Sequence, residues 1–270
     1  LWKMKADGTS HILLDSHSGS TGPDVSPDGT KIVFEYYVSS NYQALAIINY
    51  DGTGFHHIIG GPGEGSWQMA SWSPTGEEIV ARRSALDNPL DPTQIFKINS
   101  DGTNLRQLTY AGTNVYPVWS PDGSMIVYVH SDDPSGHGPT DVWVMDSNGG
   151  NKRKLTNIGV TGCTTWTPDG SKIIFSSGAQ PHIYIMNSDG SNIQQLTDSD
   201  GSEENAEISP DGSWLVFQGR INGIRDIYKI PVETPISATL WTQWYFWTNI
   251  VLATTTGVFA FTTVYYRKKA

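Results

Sequence analysis

Acidic side chains gather in one short stretch of the sequence, DSDGSEE, which runs from position 198 to position 204. Carboxylates alternate there around a glycine, and calcium prefers hard carboxylate oxygens as ligands. The stretch lacks the full twelve-residue spacing of an EF-hand loop. We therefore expect an acidic turn and no cofactor, with calcium binding as the alternative. The ligands in that case would be Asp198, Asp200, Glu203 and Glu204.

A second stretch, HSDDPSGHGPTD at positions 130–141, offers two histidines and three aspartates. Imidazole nitrogen and carboxylate oxygen are zinc ligands, but zinc sites need ligands held in fixed positions. A loop rich in glycine and proline holds its side chains loosely. We therefore predict a ligand-binding loop here rather than a metal site.

Catalytic signatures are absent from the rest of the sequence. It contains no G-x-S-x-G nucleophile elbow, no H-E-x-x-H, no Gly-rich phosphate loop and no C-x-x-C. The single Cys163 lies in a probable inner strand, where cysteine usually acts as a small hydrophobic residue. We predict a protein that is not an enzyme. The alternative is a metal-dependent hydrolase or lyase that uses Asp132 and Asp133.

An internal repeat must position these loops. Five copies of one unit are VSPDGTKIVF, WSPTGEEIVA, WSPDGSMIVY, WTPDGSKIIF and ISPDGSWLVF, with their Ser or Thr at positions 26, 73, 120, 167 and 209. A second turn, such as NYDGTG or NSDGTN, alternates with the first. Pro presets one turn dihedral, Asp bonds back to its own backbone, and Gly accepts a positive φ. Each unit thus has two turns and four short strand-like runs, which predicts an all-β propeller of four-stranded antiparallel blades.

The repeats resemble those of TolB-type propellers, relatives of WD-type repeats, in their Trp-Ser-Pro-Asp-Gly turn and in the Asp-Gly-Ser/Thr hairpin that ends in Leu-Thr. The resemblance covers about residues 1–230 and implies a fold, not an activity. Four complete and two partial blades can be counted. Because the family commonly closes at six blades, we expect six in the parent protein and an incomplete N-terminus. The domain would then span residues 1–232.

The variable connections lie opposite the two tight turns, and long connections carry function more often than tight ones. We expect a protein, peptide or glycan ligand to bind at that face. The candidate ligand-binding residues are Trp67, Arg82, Arg83, His130, Asp132, Asp133, His137, Asp141, Arg220 and Arg225.

The C-terminal segment has a different composition from the repeats. Residues 244–266 contain no charged side chain, have aromatic residues at both ends, and are long enough to span a membrane as a helix. Residues 233–243 would form a short stalk. The basic tail, 267–270, favours the cytoplasmic side. These features predict a single-pass cell-membrane protein with its propeller outside the cytoplasm.

Net charge narrows the choice of partner. The formal charge of −10 and the pI near 5.0 argue against nucleic acid, because phosphate binding requires clustered Lys and Arg. We therefore predict a membrane-anchored binding or scaffold module. The alternatives are the hydrolase or lyase above and a structural component of a surface layer.

Overall fold

The computed structural model describes residues 1–5, 9–84, 92–221, 223–232 and 250–252, and within these ranges every regular element is a β-strand. The strands are β1 Trp2–Met4, β2 Ile12–Leu13, β3 Thr21–Val25, β4 Lys31–Tyr37, β5 Gln43–Asn49, β6 His56–Ile59, β7 Ser66–Trp72, β8 Glu78–Ser84, β9 Gln94–Asn99, β10 Arg106–Gln107, β11 Thr113–Trp119, β12 Met125–Ser131, β13 Asp141–Asp146, β14 Arg153–Lys154, β15 Val160–Trp166, β16 Lys172–Ser177, β17 His182–Asn187, β18 Gln194–Gln195, β19 Ser202–Ile208, β20 Trp214–Ile221, β21 Ile224–Pro231 and β22 Ile250–Leu252.

Six antiparallel sheets divide these strands. Blades 2 to 5 are β3–β6, β7–β10, β11–β14 and β15–β18, and blade 6 is β19–β21. Blade 1 is a sheet of β2, β1 and β22. The first strands of blades 2 to 6 contact one another in succession, as strands around a central axis do. The prediction of an all-β propeller with four-stranded antiparallel blades is confirmed.

The core lies between blades, and one register position shows how it is built. Val33, Val80, Val127 and Ile174 occupy the same place in the second strand of blades 2 to 5 and are fully buried. Each packs against the next blade along the chain; Val33, for example, shares an apolar cluster with Ile79. The equivalent Val216, in blade 6, is only half-buried.

The turn between first and second strands is built in the same way in blades 2, 4, 5 and 6. In blade 2 the Ser26 hydroxyl donates to the Asp28 carboxylate at 2.6 Å, and the backbone N–H of Thr30 donates to the same oxygen at 3.0 Å. These bonds hold the pKa of Asp28 down at about 2. Gly29 has a φ of 71°, a conformation that glycine adopts without strain. The turn is therefore fixed by its own side chains.

The structure does not support the helix predicted at residues 244–266. Ile250–Leu252 is instead a strand that pairs antiparallel with Trp2–Met4. The rest of that segment, most of the predicted stalk and the basic tail lie outside the described residues. Within the described ranges, no helix has the length and apolar character needed to cross a membrane.

Candidate functional site

Each first strand of blades 2 to 6 shifts register at the same place, four residues before the Ser or Thr of its turn. The residues at this position are Gly22, Met69, Tyr116, Cys163 and Asn205. Four of them, all but Cys163, have φ values of 54–56°, which is uncommon for residues other than glycine. A β-bulge re-aims a side chain and often lies beside a functional site. The bulges therefore mark a ring of positions around the axis.

A polar network connects blades 2 and 3 next to this ring. Glu35 accepts hydrogen bonds from the backbone N–H of Met69 and from the hydroxyl of Thr21. The Arg82 guanidinium donates to the side-chain oxygen of Gln68, whose amide nitrogen donates to Gln43. A carboxylate and a guanidinium are thus held in one network that crosses the blade junction.

Burial sets the electrostatics of this network. Burial raises the pKa of Glu35, and the Met69 amide, the Thr21 hydroxyl and the Arg82 charge act in the opposite direction. Burial also lowers the pKa of Arg82. Its Nε is buried without a hydrogen-bond partner among the described residues, although buried polar atoms usually have one. The network is therefore one hydrogen bond short at Arg82.

Two further carboxylates belong to the first strands of blades 2 and 6. Asp24 accepts a 2.7 Å hydrogen bond from the Trp72 backbone N–H, and Glu207 accepts one from the Thr165 hydroxyl at 3.3 Å. Burial raises the pKa of Asp24 to about 6; burial and then the Asp24 charge raise that of Glu207 to about 7. The Glu207 side chain keeps contact with solvent, whereas Asp24 is half-buried. Both groups therefore titrate close to neutral pH.

Cys163, half-buried on its first strand, donates its thiol hydrogen to the Asn205 side-chain oxygen at 2.9 Å. Burial, and then the Glu207 charge, raise the pKa of this thiol to about 12. A thiol with that pKa is not a nucleophile at neutral pH. The ring therefore offers hydrogen bonds and charge, not an activated nucleophile.

Comparison with known proteins is consistent with this architecture. Residues 134–244 match the profile of the TolB beta propeller domain. TolB from Acinetobacter baumannii is 20% identical, over 77% of this chain and 52% of that one, with a TM-score of 0.66. The chain therefore resembles TolB-type propellers in its repeats and shares their fold.

Other solved structures share the propeller fold of this chain. A putative TolB from Agrobacterium tumefaciens is 20% identical over 85% of this chain and 83% of that one, with a TM-score of 0.69. An oligogalacturonate lyase in complex with manganese is 17% identical over 82% and 68%, with a TM-score of 0.58. The search of curated proteins found no match. The chain spans about half the length of the Acinetobacter TolB, and these low identities establish the fold alone.

Three of the predicted ligand-binding residues have structural partners. The Trp67 indole is buried in the core, donates to the Glu64 carbonyl at 3.0 Å and packs on a phenylalanine ring. Arg83 donates to the same carbonyl at 2.7 Å. The buried Asp141 accepts from the Thr156 hydroxyl at 2.9 Å and pairs with a lysine at 2.7 Å. These contacts give all three a role in packing blades and loops.

The other predicted residues are spread over the loop face. Arg82 belongs to the polar network beside the bulges. His130, Asp132, Asp133 and His137 lie together in and beside the loop after β12, and the side chain of Asp132 is 99% exposed. Arg220 and Arg225 pair across the hairpin of β20 and β21. The structure therefore separates the ten predicted residues rather than bringing them into one site.

The acidic turn does not converge on one point. Glu203 is buried, and its carboxylate oxygen lies 2.8 Å from Nδ1 of His182. Burial raises the pKa of Tyr116, at one of the bulges, and the charge of Glu204, the neighbour of Glu203, adds to that rise. Among the residues described, no group of three or more His, Cys, Asp or Glu is placed to hold a metal ion. Calcium binding by Asp198 and Asp200 with these glutamates stays an untested prediction.

Sequence analysis missed Glu35, Asp24 and Glu207. A signal for the first of them was nonetheless present, because aligned repeats reveal positions whose chemistry changes from blade to blade. One such position lies on the second strand, two residues after the core valine or isoleucine. In blades 2 to 6 it holds, in order, Glu35, Arg82, Val129, Ser176 and Gln218. Such a change within an otherwise regular repeat indicates a role other than packing.

Proposed function

We propose that this chain is a binding module that docks a protein or peptide over the axis of the propeller, at the end where the loops vary. The observation that carries the proposal is the set of polar side chains next to the ring of bulges. These side chains come from several blades. Their ionisable groups are the carboxyl groups of Glu35, Asp24, Glu204 and Glu207 and the guanidinium of Arg82. A partner segment with basic side chains would favour the ionised form of the carboxyl groups and pair with them.

Exposed apolar side chains surround the ring on the same loop face. Tyr110 is 74% exposed, Ile158 45% and Ile224 64%, and each follows or precedes a strand at that end of its blade. Large aromatic and aliphatic side chains provide most of the energy at protein interfaces. A charged centre inside an apolar rim supports protein docking better than binding of a small polar solute.

Site-specific photocrosslinking tests the proposal. A photoreactive residue in place of Tyr110 or Ile158 should crosslink a partner in the native host, and Thr53 on the tight-turn face provides the matched control position. The partner, once identified and purified, should bind the intact chain directly. We expect Tyr110→Ala or Arg82→Gln to weaken that binding about tenfold or more, and Thr53→Ala to leave it unchanged.

Two results would refute the proposal. One is crosslinking from the Thr53 face with none from the loop face. The other is turnover of polysaccharide, ester or peptide substrates by the purified chain, lost on substitution of Asp132 or Asp133. The second result would support the hydrolase or lyase alternative.

A further inference from the structure

His130 lies at the end of β12, where the longest described loop of blade 4 begins. Its Nδ1 lies 2.9 Å from the side-chain oxygen of Asn114, and its Nε2 lies 3.1 Å from a carboxylate oxygen of Asp132. The side chain is only 12% exposed. Both ring nitrogens therefore face atoms assigned as acceptors.

The orientation of Asn114 is fixed by its other contacts. Its amide nitrogen donates to the backbone carbonyl of Ala111 at 2.9 Å and to the side-chain oxygen of Gln94 at 3.1 Å. The amide of Gln94 is oriented in turn by a 2.8 Å hydrogen bond to the carbonyl of Gly112. Carbonyl oxygens cannot donate, so the Asn114 oxygen must face His130 and can only accept. Nδ1 of His130 therefore carries a hydrogen.

Whether Nε2 of His130 also carries a proton determines whether its contact with Asp132 is attractive. A neutral ring with its hydrogen on Nδ1 presents a lone pair at Nε2, which would oppose the Asp132 carboxylate. Only the doubly protonated imidazolium donates to Asn114 and Asp132 together. The Trp143 ring packs edge-to-face against the His130 ring, with centroids 4.8 Å apart, and helps to hold its position.

We infer that His130 is a proton-controlled clamp on the loop at residues 132–140. Protonated His130 holds Asp132 and orders the start of the loop; loss of the Nε2 proton releases it. The nearby charges have other partners: Asp141, opposite His130 in the sheet, pairs with Lys154, and Asp133 accepts from Ser135. His137 also contacts Ser135, not His130.

The clamp would regulate access to the variable-loop face, and this regulatory role rests on the proposed function. The protonation-linked contact itself does not, so it can be tested without a partner. If partner docking fails and the clamp is observed, only the proposed function is lost.

Nitrogen NMR of the His130 ring across pH 5–8 tests the protonation step, and amide hydrogen exchange at residues 132–140 tests the clamp. As Nε2 loses its proton, we expect loop protection, corrected for intrinsic exchange, to fall about two- to fivefold, a modest change because Asp132 is exposed. Asp132→Asn should remove most of this pH step, and His130→Gln should abolish it. His137→Gln, in the same loop, should retain it.

Three outcomes would overturn the inference: a neutral ring that keeps its hydrogen on Nε2, a pH step that survives in His130→Gln, or one that disappears only in His137→Gln. The ring NMR reads the tautomer directly and does not depend on how strongly the loop is ordered.

Discussion

The two ends of the second strands differ in how strictly they repeat. At the tight-turn end, blades 2, 4, 5 and 6 use the same contact, a Ser or Thr hydroxyl bonded to an Asp carboxylate at 2.6 Å. Toward the loop end, equivalent positions hold Glu35, Arg82, Val129, Ser176 and Gln218. The first end must only reverse the chain, which every blade requires. The second end varies, as expected if it carries the binding site that we propose.

The largest expected effect tests the repeated core. Ile174→Asp should destabilise the chain by about 4 kcal/mol or more, since it places an unpaired charge in a fully buried interblade layer. Val216→Asp, at the same register position, should cost much less because Val216 is half-buried. Denaturant unfolding of both variants measures the difference. Equal losses would mean that these positions are not equivalent.

The core and the turns could be predicted from sequence because each copy of the repeat supports the others. Register alone predicts similar burial for Val33, Val80, Val127, Ile174 and Val216; this holds for the first four and is wrong for Val216, which is half-buried. The polar side chains next to the bulges could not be predicted in the same way. A β-bulge changes which side chains face the axis, and the bulge position has no fixed residue type from blade to blade. Trp67 shows the opposite error: an aromatic residue near a loop was predicted to bind ligand but packs in the core.

The C-terminal segment shows a different limit of sequence reasoning. An uncharged aromatic stretch satisfies the length rule for a membrane helix. Threonine and aromatic residues also favour strands, and β22 pairs with the first strand of the chain. Hydropathy alone does not distinguish these two outcomes. The predicted extracytoplasmic location stays a prediction.

The carboxylates of the tight turns and those of the first strands should give opposite dependences of stability on pH. Asp28 and Asp211 have pKa values lowered to about 2 from an ordinary 3.8, so their contribution is present above pH ~4 and lost as pH falls toward 2. Asp24 and Glu207 have pKa values raised to about 6 and 7 from 3.8 and 4.5. Their contribution is present below pH ~4 and lost as pH rises through 6 to 7.

The double variant Asp24→Asn with Glu207→Gln should therefore flatten the decline in melting temperature between pH 5 and pH 7.5. Asp28→Asn is the matched control: it should leave that decline intact and reduce the gain in stability between pH 2 and pH 4. Thermal melts at half-unit pH steps measure both limbs. If the melting temperature of the double variant declines as in the original chain, Asp24 and Glu207 do not titrate in this range.

The smallest expected effect lies in blade 3, whose turn departs from the repeat. Thr75 replaces the Asp, and its hydroxyl lies 3.1 Å from that of Ser73, longer than the 2.6 Å contact elsewhere. Glu77 also replaces the Ser or Thr whose hydroxyl binds the Asp in the other turns. Thr75→Asp alone should change stability little, because the new carboxylate gains the Ser73 hydroxyl and the Glu77 backbone N–H but lies beside the Glu77 charge.

The double variant Thr75→Asp with Glu77→Ser restores the full turn and should stabilise the chain by about 1 kcal/mol, which raises the melting temperature by roughly 2–4 °C for a domain of this size. Glu77→Ser alone is the control for loss of the charge, and it should give less than half of that gain. If the double variant is no more stable than Glu77→Ser, the Asp contact is not what stabilises these turns. Their regularity would then reflect only the backbone demands that Pro and Gly meet.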